Sequence, residues 1–328
     1  MPIRSLGNSS VRYNAVMRRT GNNAGPPPIS MEVDYDWGGG RGINGGGWAP
    51  GSYGEIGYIT IASTGNSSDF GNLTAARAYV GHVAGSNDRG VMCGGHSIGN
   101  VIDYVNIAST GNASDFGDPG HTAWGQSGVS SGTRGCWAGD GPGYSANEID
   151  YITIASTGNA SSFGELAQSS PAPAYMAGVT NGTRGLYVGG GLGSGNNSEV
   201  MEYITIASTG NGTDFGDIDN TSRGRGGTDS DEQRAVFSGG WAEIVDTISY
   251  TTISTLGDTT DFGELTVARG LVASCSNGLR GCTSGGADSP STEWVDTIDY
   301  VTMETTGNAT DFGDSIVDCQ RFQACSGN

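Results

Sequence analysis

The fourteen residues YITIASTGNSSDFG, Tyr58 to Gly71, return with small changes until almost the end of the chain. The recurring tyrosines are Tyr58, Tyr104, Tyr151, Tyr203, Tyr250 and Tyr300, separated by 46, 47, 52, 47 and 50 residues. Twelve residues after each comes a phenylalanine: Phe70, Phe116, Phe163, Phe215, Phe262 and Phe312. A glycine follows every one, and another lies seven residues after each tyrosine, at Gly65, Gly111, Gly158, Gly210, Gly257 and Gly307. A period of this size marks a chain of stacked supersecondary units. Length varies only outside the block, so insertions fall in loops.

The fourth copy shows one whole unit. RGLYVGG (184–190) is a short β-prone run ending in two glycines, and EVMEYITIAS (199–208) alternates and is rich in β-branched residues, as a strand requires. TGN is a turn, and TDFGDI is a short further strand or corner. A stretch such as ARAYVGHVAGS (76–86) adds a fourth strand. Four strands in about fifty residues is the size of one propeller blade. Glycine is 59 of 328 residues without a G-x-y period, which excludes collagen and fits many short strands and turns. No apolar run approaches the ~20 residues that span a bilayer as a helix.

The order Ala-Arg, diglycine, Tyr strand, aromatic resembles the kelch repeat. The Ala-Arg pairs are Ala76-Arg77 and Ala268-Arg269, with Gln320-Arg321 a variant. The diglycines include Gly94-Gly95, Gly189-Gly190, Gly239-Gly240 and Gly285-Gly286, and Gly139-Asp140 breaks the pattern. Kelch units usually carry a Trp about six residues after the Tyr; here the aromatic is Phe and comes later. The resemblance implies an all-β, six-bladed, kelch-like β-propeller with four strands per blade, over residues 31–328.

Both ends of that domain suggest closure. Residues 31–40, MEVDYDWGGG, read as a diglycine strand without a preceding Ala-Arg strand. Residues 315–327, SIVDCQRFQACSG, read as an Ala-Arg-type strand without a diglycine strand after it. The C-terminal strand is therefore expected to complete the first blade, which removes the exposed ends of an open solenoid. Five blades begin their second strand with arginine: Arg89, Arg134, Arg184, Arg234 and Arg280. In the first blade the aligned residue is read as Val33, with Arg41 nearby. Such a ring could bind an anion; alternatively each arginine pairs with an acid or carbonyl of a neighbouring blade.

Net charge is −19, and all 15 basic residues are arginine. Residues 1–30 carry Arg4, Arg12, Arg18 and Arg19 and no acid; the rest holds 11 arginines against 34 acids. The acidic body repels nucleic-acid phosphates. The arm, with its stiff PPP spacer at 26–28, is too poor in apolar residues for its own core and suits an acidic partner surface. Its four arginines are the candidate anchors, and it lacks the apolar core of a signal peptide.

No catalytic, cofactor or metal site is expected. His82, His96 and His121 share no spacing, and Cys93, Cys136, Cys275, Cys282, Cys319 and Cys325 form no CxxC pair, so they read as free thiols. Acids precede the Phe at Asp69, Asp115, Asp214, Asp261 and Asp311, and follow Phe-Gly at Asp118, Glu165, Asp217, Glu264 and Asp314. Oxygen-rich loops can hold calcium, but this is not EF-hand spacing, and turn or edge roles fit better. The sequons at Asn66, Asn112, Asn159, Asn211 and Asn308 read as turn chemistry. Specificity is expected in three variable segments: 41–55 with Trp48 and Tyr53, 119–133 with Trp124, and 287–296 with Trp294.

The phrase YITIASTGNATDFGD, with close variants beginning at Tyr151, Tyr203 and Tyr300, resembles repeat-containing virion proteins of marine tailed bacteriophages. That resemblance implies a non-enzymatic structural protein of the tail, tail fibre or capsid exterior, present in multiple copies. Other virion proteins would hold it by the N-terminal arm, and a host glycan or surface protein would meet the propeller. A lectin or adaptor propeller outside any virion, or a propeller enzyme of sialidase or oxidase type, are the alternative classes.

Overall fold

The computed structural model describes residues 40–327, apart from 50, 86–88, 97, 123, 140–146, 169–170, 193–195, 220–223, 230–233, 242, 289–293 and 317–322. The basic arm with Arg4, Arg12, Arg18 and Arg19, the spacer, Val33 and Cys319 lie outside these residues, as does the side chain of Cys325.

The chain folds as a six-bladed β-propeller, each blade an antiparallel sheet of four strands. Blade 1 takes its innermost strand, Gln323–Gly327, from the C-terminal end. Arg41–Gly45, Glu55–Thr60 and Ser68–Asn72 follow outward. Blade 2 runs Gly81–Gly85, Arg89–Cys93, Ile102–Asn106, Ser114–Gly117, and blade 3 runs Ser127–Ser130, Arg134–Ala138, Glu148–Thr153, Ser161–Glu165. Blade 4 is Ala177–Thr180, Arg184–Val188, Val200–Thr205, Thr213–Asp217, and blade 5 is Gly226–Asp229, Arg234–Ser238, Thr247–Thr252, Thr260–Glu264. Blade 6 is Ala273–Ser276, Arg280–Ser284, Thr297–Thr302, Thr310–Asp314. The innermost strands neighbour one another in a closed cycle, and the pairing of Arg41 with Gly327 through Gly45 with Gln323 completes it.

One expected frame is corrected. The second strand of blade 1 is Arg41–Gly45, followed by Gly46-Gly47, and not residues 31–40. Pairing fixes the frame: Ile43 lies opposite Tyr58 just as Val91 lies opposite Tyr104 and Leu186 opposite Tyr203. Arg41, not Val33, is therefore the first-blade arginine, and the ring has six members. The Ala-Arg motif is likewise not a strand but the connection leading into one, since the strand starts at Gly81.

Six apolar clusters fill the spaces between adjacent blades, one at each seam. Each takes the Phe of its own repeat; Phe163, for example, packs with Leu166, Met176 and Ile206. The register slips at the same place in every blade, between Ile149 and Asp150 in blade 3, so that the Phe is an extra residue on the outer strand. The same slip recurs at Ile56/Gly57, Ile102/Asp103, Met201/Glu202, Ile248/Ser249 and Ile298/Asp299. Such a bulge re-aims one side chain. Here it turns the phenylalanine of an outer strand inward, where all six are buried.

The TGN turn holds blade to blade. Gly111 N–H donates to the Phe70 carbonyl of the preceding blade at 2.7 Å, and Ala113 N–H donates to Asn72 at 2.8 Å. The Asn112 side-chain oxygen accepts the Asn72 N–H in return, at 3.0 Å. Gly158, Gly210, Gly257 and Gly307 make the same bond to Phe116, Phe163, Phe215 and Phe262, and Gly65 bonds Phe312 across the closing seam. Each turn thus caps the unpaired edge of its neighbour's outer strand, which otherwise invites association. Asn66, Asn159 and Asn211 accept in the same way, with Asp258 substituting in blade 5, while Asn308 donates its side-chain N–H to the Glu264 carboxylate at 3.3 Å.

The glycine after each Phe lies under this clasp. A Cβ on Gly71 would strike the Gly111 carbonyl, and its φ of +151° is one that other residues rarely adopt. Gly111 itself has open space around its Cβ position. Gly71→Ala is therefore expected to cost about 1–3 kcal/mol through forced backbone strain, whereas Gly111→Ala is close to neutral. Urea unfolding midpoints of the two variants at unchanged m-value test the contrast.

Candidate functional site

The repeated arginines are structural. Arg184 Nη1 donates to the Ile253 carbonyl of the next blade at 2.8 Å, and its guanidinium lies 4.3 Å from the Tyr203 ring centre. Arg41, Arg89, Arg134, Arg234 and Arg280 do the same to Ile107, Ile154, Ile206, Met303 and Ile61. Each covers its own blade's Tyr at 4.2–4.7 Å. The Tyr in turn meets the blade's Phe edge-on, with ring centres 5.9–6.3 Å apart. Arginine suits this place because one planar cation can stack on a ring and donate at its edge. Of the two readings open for the ring, it is the neighbouring carbonyl that takes the guanidinium.

Buried carboxylates escaped the sequence reading. Asp103, Asp150, Glu202 and Asp299 stand immediately before the repeated Tyr and are buried. Each receives backbone N–H groups of the connection entering its blade: Asp103 from Thr74, Asp150 from Gly120, Glu202 from Ala167 and Gln168, and Asp299 from Thr266. The Ala-Arg arginines complete two of these sites, with Arg77–Asp103 and Arg269–Asp299 both at 2.9 Å and fully buried. In blade 5 the roles are exchanged: Ser249 replaces the acid and donates to Asp219 of the connection, which lies 3.6 Å from Arg225. The available signal was an acid inside an apolar strand, always one residue before the Tyr.

Cys93, Cys136, Cys275 and Cys282 are buried free thiols. Burial pushes the Cys136 thiol up to about 12, which makes it unreactive. Among the described residues, no three His, Cys, Asp or Glu side chains converge as metal ligands. Asp69, Asp115, Asp214, Asp261 and Asp311 are exposed on the outer strands.

Unrepeated residues gather on one face. Antiparallel strands place the connections between second and third strands on the same face as those between blades. All three variable segments contribute to it, although 41–45 and 127–130 prove to be strands. There Tyr79 lies 4.9 Å from Trp124 and 5.1 Å from Tyr175 between ring centres, and Trp124 lies 5.6 Å from Tyr175. His96 joins Trp124 at 5.3 Å and Trp48 at 5.7 Å, making a continuous group of five partly exposed rings from four blades. Trp48 is presented by a small extra hairpin, Trp48–Ala49 with Gly51–Ser52. The structure brings Trp48 and Trp124 together. It places Tyr53 and Trp294 elsewhere on this face: Tyr53 holds the connection at Arg77 through its backbone, and Trp294 bridges to Ala287.

The rings stand at the mouth of the central axis on the side of blades 1 to 4. A belt of backbone bonds runs from blade to blade there: Gly125 N–H to Tyr79 O, Tyr175 N–H to Gly125 O, Gly224 N–H to Tyr175 O, and Leu271 N–H to Gly224 O, at 2.6–3.0 Å. The belt demands a left-handed backbone at every step. Glycine supplies it at 125 and 224, but Tyr79, Tyr175 and Leu271 hold it at φ 58–59°. For a bulky residue this conformation costs about 1–2 kcal/mol. Tyr79 and Tyr175 keep it and thereby lie over the mouth, in contact across Gly125. A Cβ at Gly125 would meet the Tyr175 ring at 2.9 Å.

Below the mouth a cavity of about 40 Å³ is lined by the inner strands of blades 2 to 6, with His82, Ser127, Arg225 and Ser274 on its wall. Burial, with help from the Arg77 charge, lowers the His82 pKa to about 3. His82 is thus neutral in the folded protein at every ordinary pH.

No protein-family model and no curated protein sequence matches this chain.

Two outcomes follow from this geometry. Arg184→Met keeps the stem but loses the charged hydrogen bond and the stacking, and should lower stability by about 2 kcal/mol, measured by urea unfolding. His82 has a folded pKa below its unfolded value of 6.5, so the unfolded chain takes up the extra proton on acidification. Its contribution is whole above pH 6.5 and is lost toward pH 3, by up to about 1.4 kcal/mol per pH unit. His82→Gln should flatten that part of the stability–pH curve.

Proposed function

We propose that this chain is a non-enzymatic structural component of a tailed-phage particle: a propeller displayed in multiple copies, held by its basic N-terminal arm, with the aromatic mouth turned toward the host. One observation carries the display role. The repeated side chains are spent inside the ring, on seams, clasps and arginine–tyrosine stacks, and unrepeated aromatics such as Trp137 are buried there too, while the partly exposed rings Trp48, Tyr79, His96, Trp124 and Tyr175 collect on one face. A scaffold with one variable face is suited to presenting a contact surface. The virion assignment itself comes from the likeness of the Tyr-Gly-Phe-Gly phrase to marine phage virion repeats.

The charge distribution fits this arrangement. An arm with four arginines and no acid would seat on an acidic neighbour, while the strongly acidic body keeps displayed copies apart. The chief rival reading is a free-standing binding propeller, to which the same aromatic face would serve equally.

Particle composition separates the two. Purified virions should contain the chain by mass spectrometry, and deletion of residues 1–30 should remove it from particles while the propeller keeps its melting temperature. The propeller is expected to survive that deletion because strands from residues 41 to 327 close the ring. Absence of the full-length chain from particles would eliminate the virion reading; incorporation of the deletion variant would eliminate the arm as anchor.

A further inference from the structure

We infer that the ring group at the channel mouth, Trp48, Tyr79, His96, Trp124 and Tyr175, is a binding site for a neutral saccharide. A pyranose would stack on the aromatic floor and bond through its hydroxyls to the glycine-rich connections around it. This deepens the display reading and rests on it for the choice of the outward face.

Four features of the site point to that ligand. First, the floor is aromatic without being aliphatic. Among the described residues, the exposed large aliphatic side chains, Leu256, Val267, Leu279 and Ile316, lie outside the mouth-forming segments 44–54, 74–80, 94–100, 119–126 and 171–176, where Ile98 is half-buried. A protein partner's interface core draws on a mixed apolar patch, whereas flat rings beside polar backbone suit the apolar C–H face of a sugar with a rim of hydroxyls.

Second, charge argues against an anion. Segments 44–54, 94–100, 119–126 and 171–176 contain no lysine or arginine, and the two arginines nearest the mouth are buried against acids, Arg77 with Asp103 and Arg225 with Asp219, in a strongly acidic body. Sialylated or uronate-bearing glycans would be repelled, so the saccharide is neutral.

Third, the floor is pre-organised. Each ring touches at least one other, and Tyr79 meets His96, Trp124 and Tyr175. A rigid platform loses little freedom on binding.

Fourth, two of its members sit where the fold would accept glycine. The same belt position is glycine at 125 and 224 and a buried leucine at 271, yet at 79 and 175 it is tyrosine at φ 59° with its ring partly exposed at the mouth. Of the three bulky residues that hold this strained backbone, the two at the floor present partly exposed aromatic rings, as a working surface requires.

The test uses the purified full-length chain. Tryptophan fluorescence and saturation-transfer NMR are followed against neutral oligosaccharides of galactose, mannose, glucose and N-acetylglucosamine, and against sialylated and uronate-containing ones. Saturable binding is expected to at least one neutral glycan, with at least tenfold weaker binding to its acidic counterpart. Trp124→Ala should weaken it at least tenfold. Tyr79→Gly should do the same at an unchanged fold, because glycine suits the backbone there. Trp294→Ala, outside the floor, should leave affinity within twofold. No saturable binding to any neutral glycan, a preference for acidic ones, or full affinity in Trp124→Ala and Tyr79→Gly would each overturn the site. Particle incorporation is read separately: a chain found in virions that binds no glycan sinks this inference alone, and one that binds glycan but is absent from virions sinks the virion reading alone.

Discussion

The propeller depends on the backbone clasp between each TGN turn and the Phe-Gly edge of the blade before it. A lone four-stranded sheet of this size could not bury its faces, and its outer strand would offer unpaired N–H and C=O groups to other chains. The clasp addresses both problems at once. It caps the edge with two carbonyl bonds and an asparagine oxygen, and it brings the next blade close enough to share an apolar seam. The closeness is possible because the residue under the turn has no side chain. Gly and Asn are thus fixed by approach and by hydrogen bonding, and the surrounding Ile, Tyr and Phe by burial.

The arginine stack works at the same seam in the opposite direction. The turn of each blade reaches back to the one before, while the arginine reaches forward to the carbonyl at the end of the next third strand. Every seam is therefore tied from both sides. The buried carboxylates tie the connections as well, each accepting N–H groups that would otherwise be orphaned near the core. Their charge is tolerated because donors surround it. Where Arg77 and Arg269 also pair with them, both charges are fully buried, so losing either partner would strand the other without compensation.

Much of this was legible in the chain. The Tyr and Phe periods count the blades, the two truncated ends imply closure, and both follow from patterns that burial and turn geometry impose on residue type. The frame of the first blade was misjudged because MEVDYDWGGG and RGINGGG both end in glycines, and only the pairing of Ile43 with Tyr58 separates them. The carboxylates before the Tyr were overlooked because acids inside strands are expected on the solvent side. Their burial depends on N–H groups from a connection more than thirty residues away in sequence for Glu202, at Ala167 and Gln168. The aromatic mouth was half visible: Trp48 and Trp124 stood out as unrepeated, but Tyr79 and Tyr175 were hidden inside the Ala-Arg-type stretches. Their left-handed backbone is a product of the belt, and no local sequence signal encodes it.

The contrast between Gly125 and its neighbours in the belt shows how the fold separates structure from recognition. All described belt positions need the same backbone, and glycine would meet that need at each. The belt's hydrogen bonds run only between N–H and C=O groups. The side chains at 79 and 175 are not the groups that make these bonds, and their rings pack with Trp124 at the mouth. The same logic holds for Trp48 on its extra hairpin and Trp124 in a connection. The glycines of the mouth are held by close approach, as at Gly46 and Gly125, so its side-chain surface is concentrated in the five rings. The aromatic floor therefore lies apart from the seams and is built from side chains that the belt's backbone bonds do not use, which leaves those side chains to be selected by a ligand.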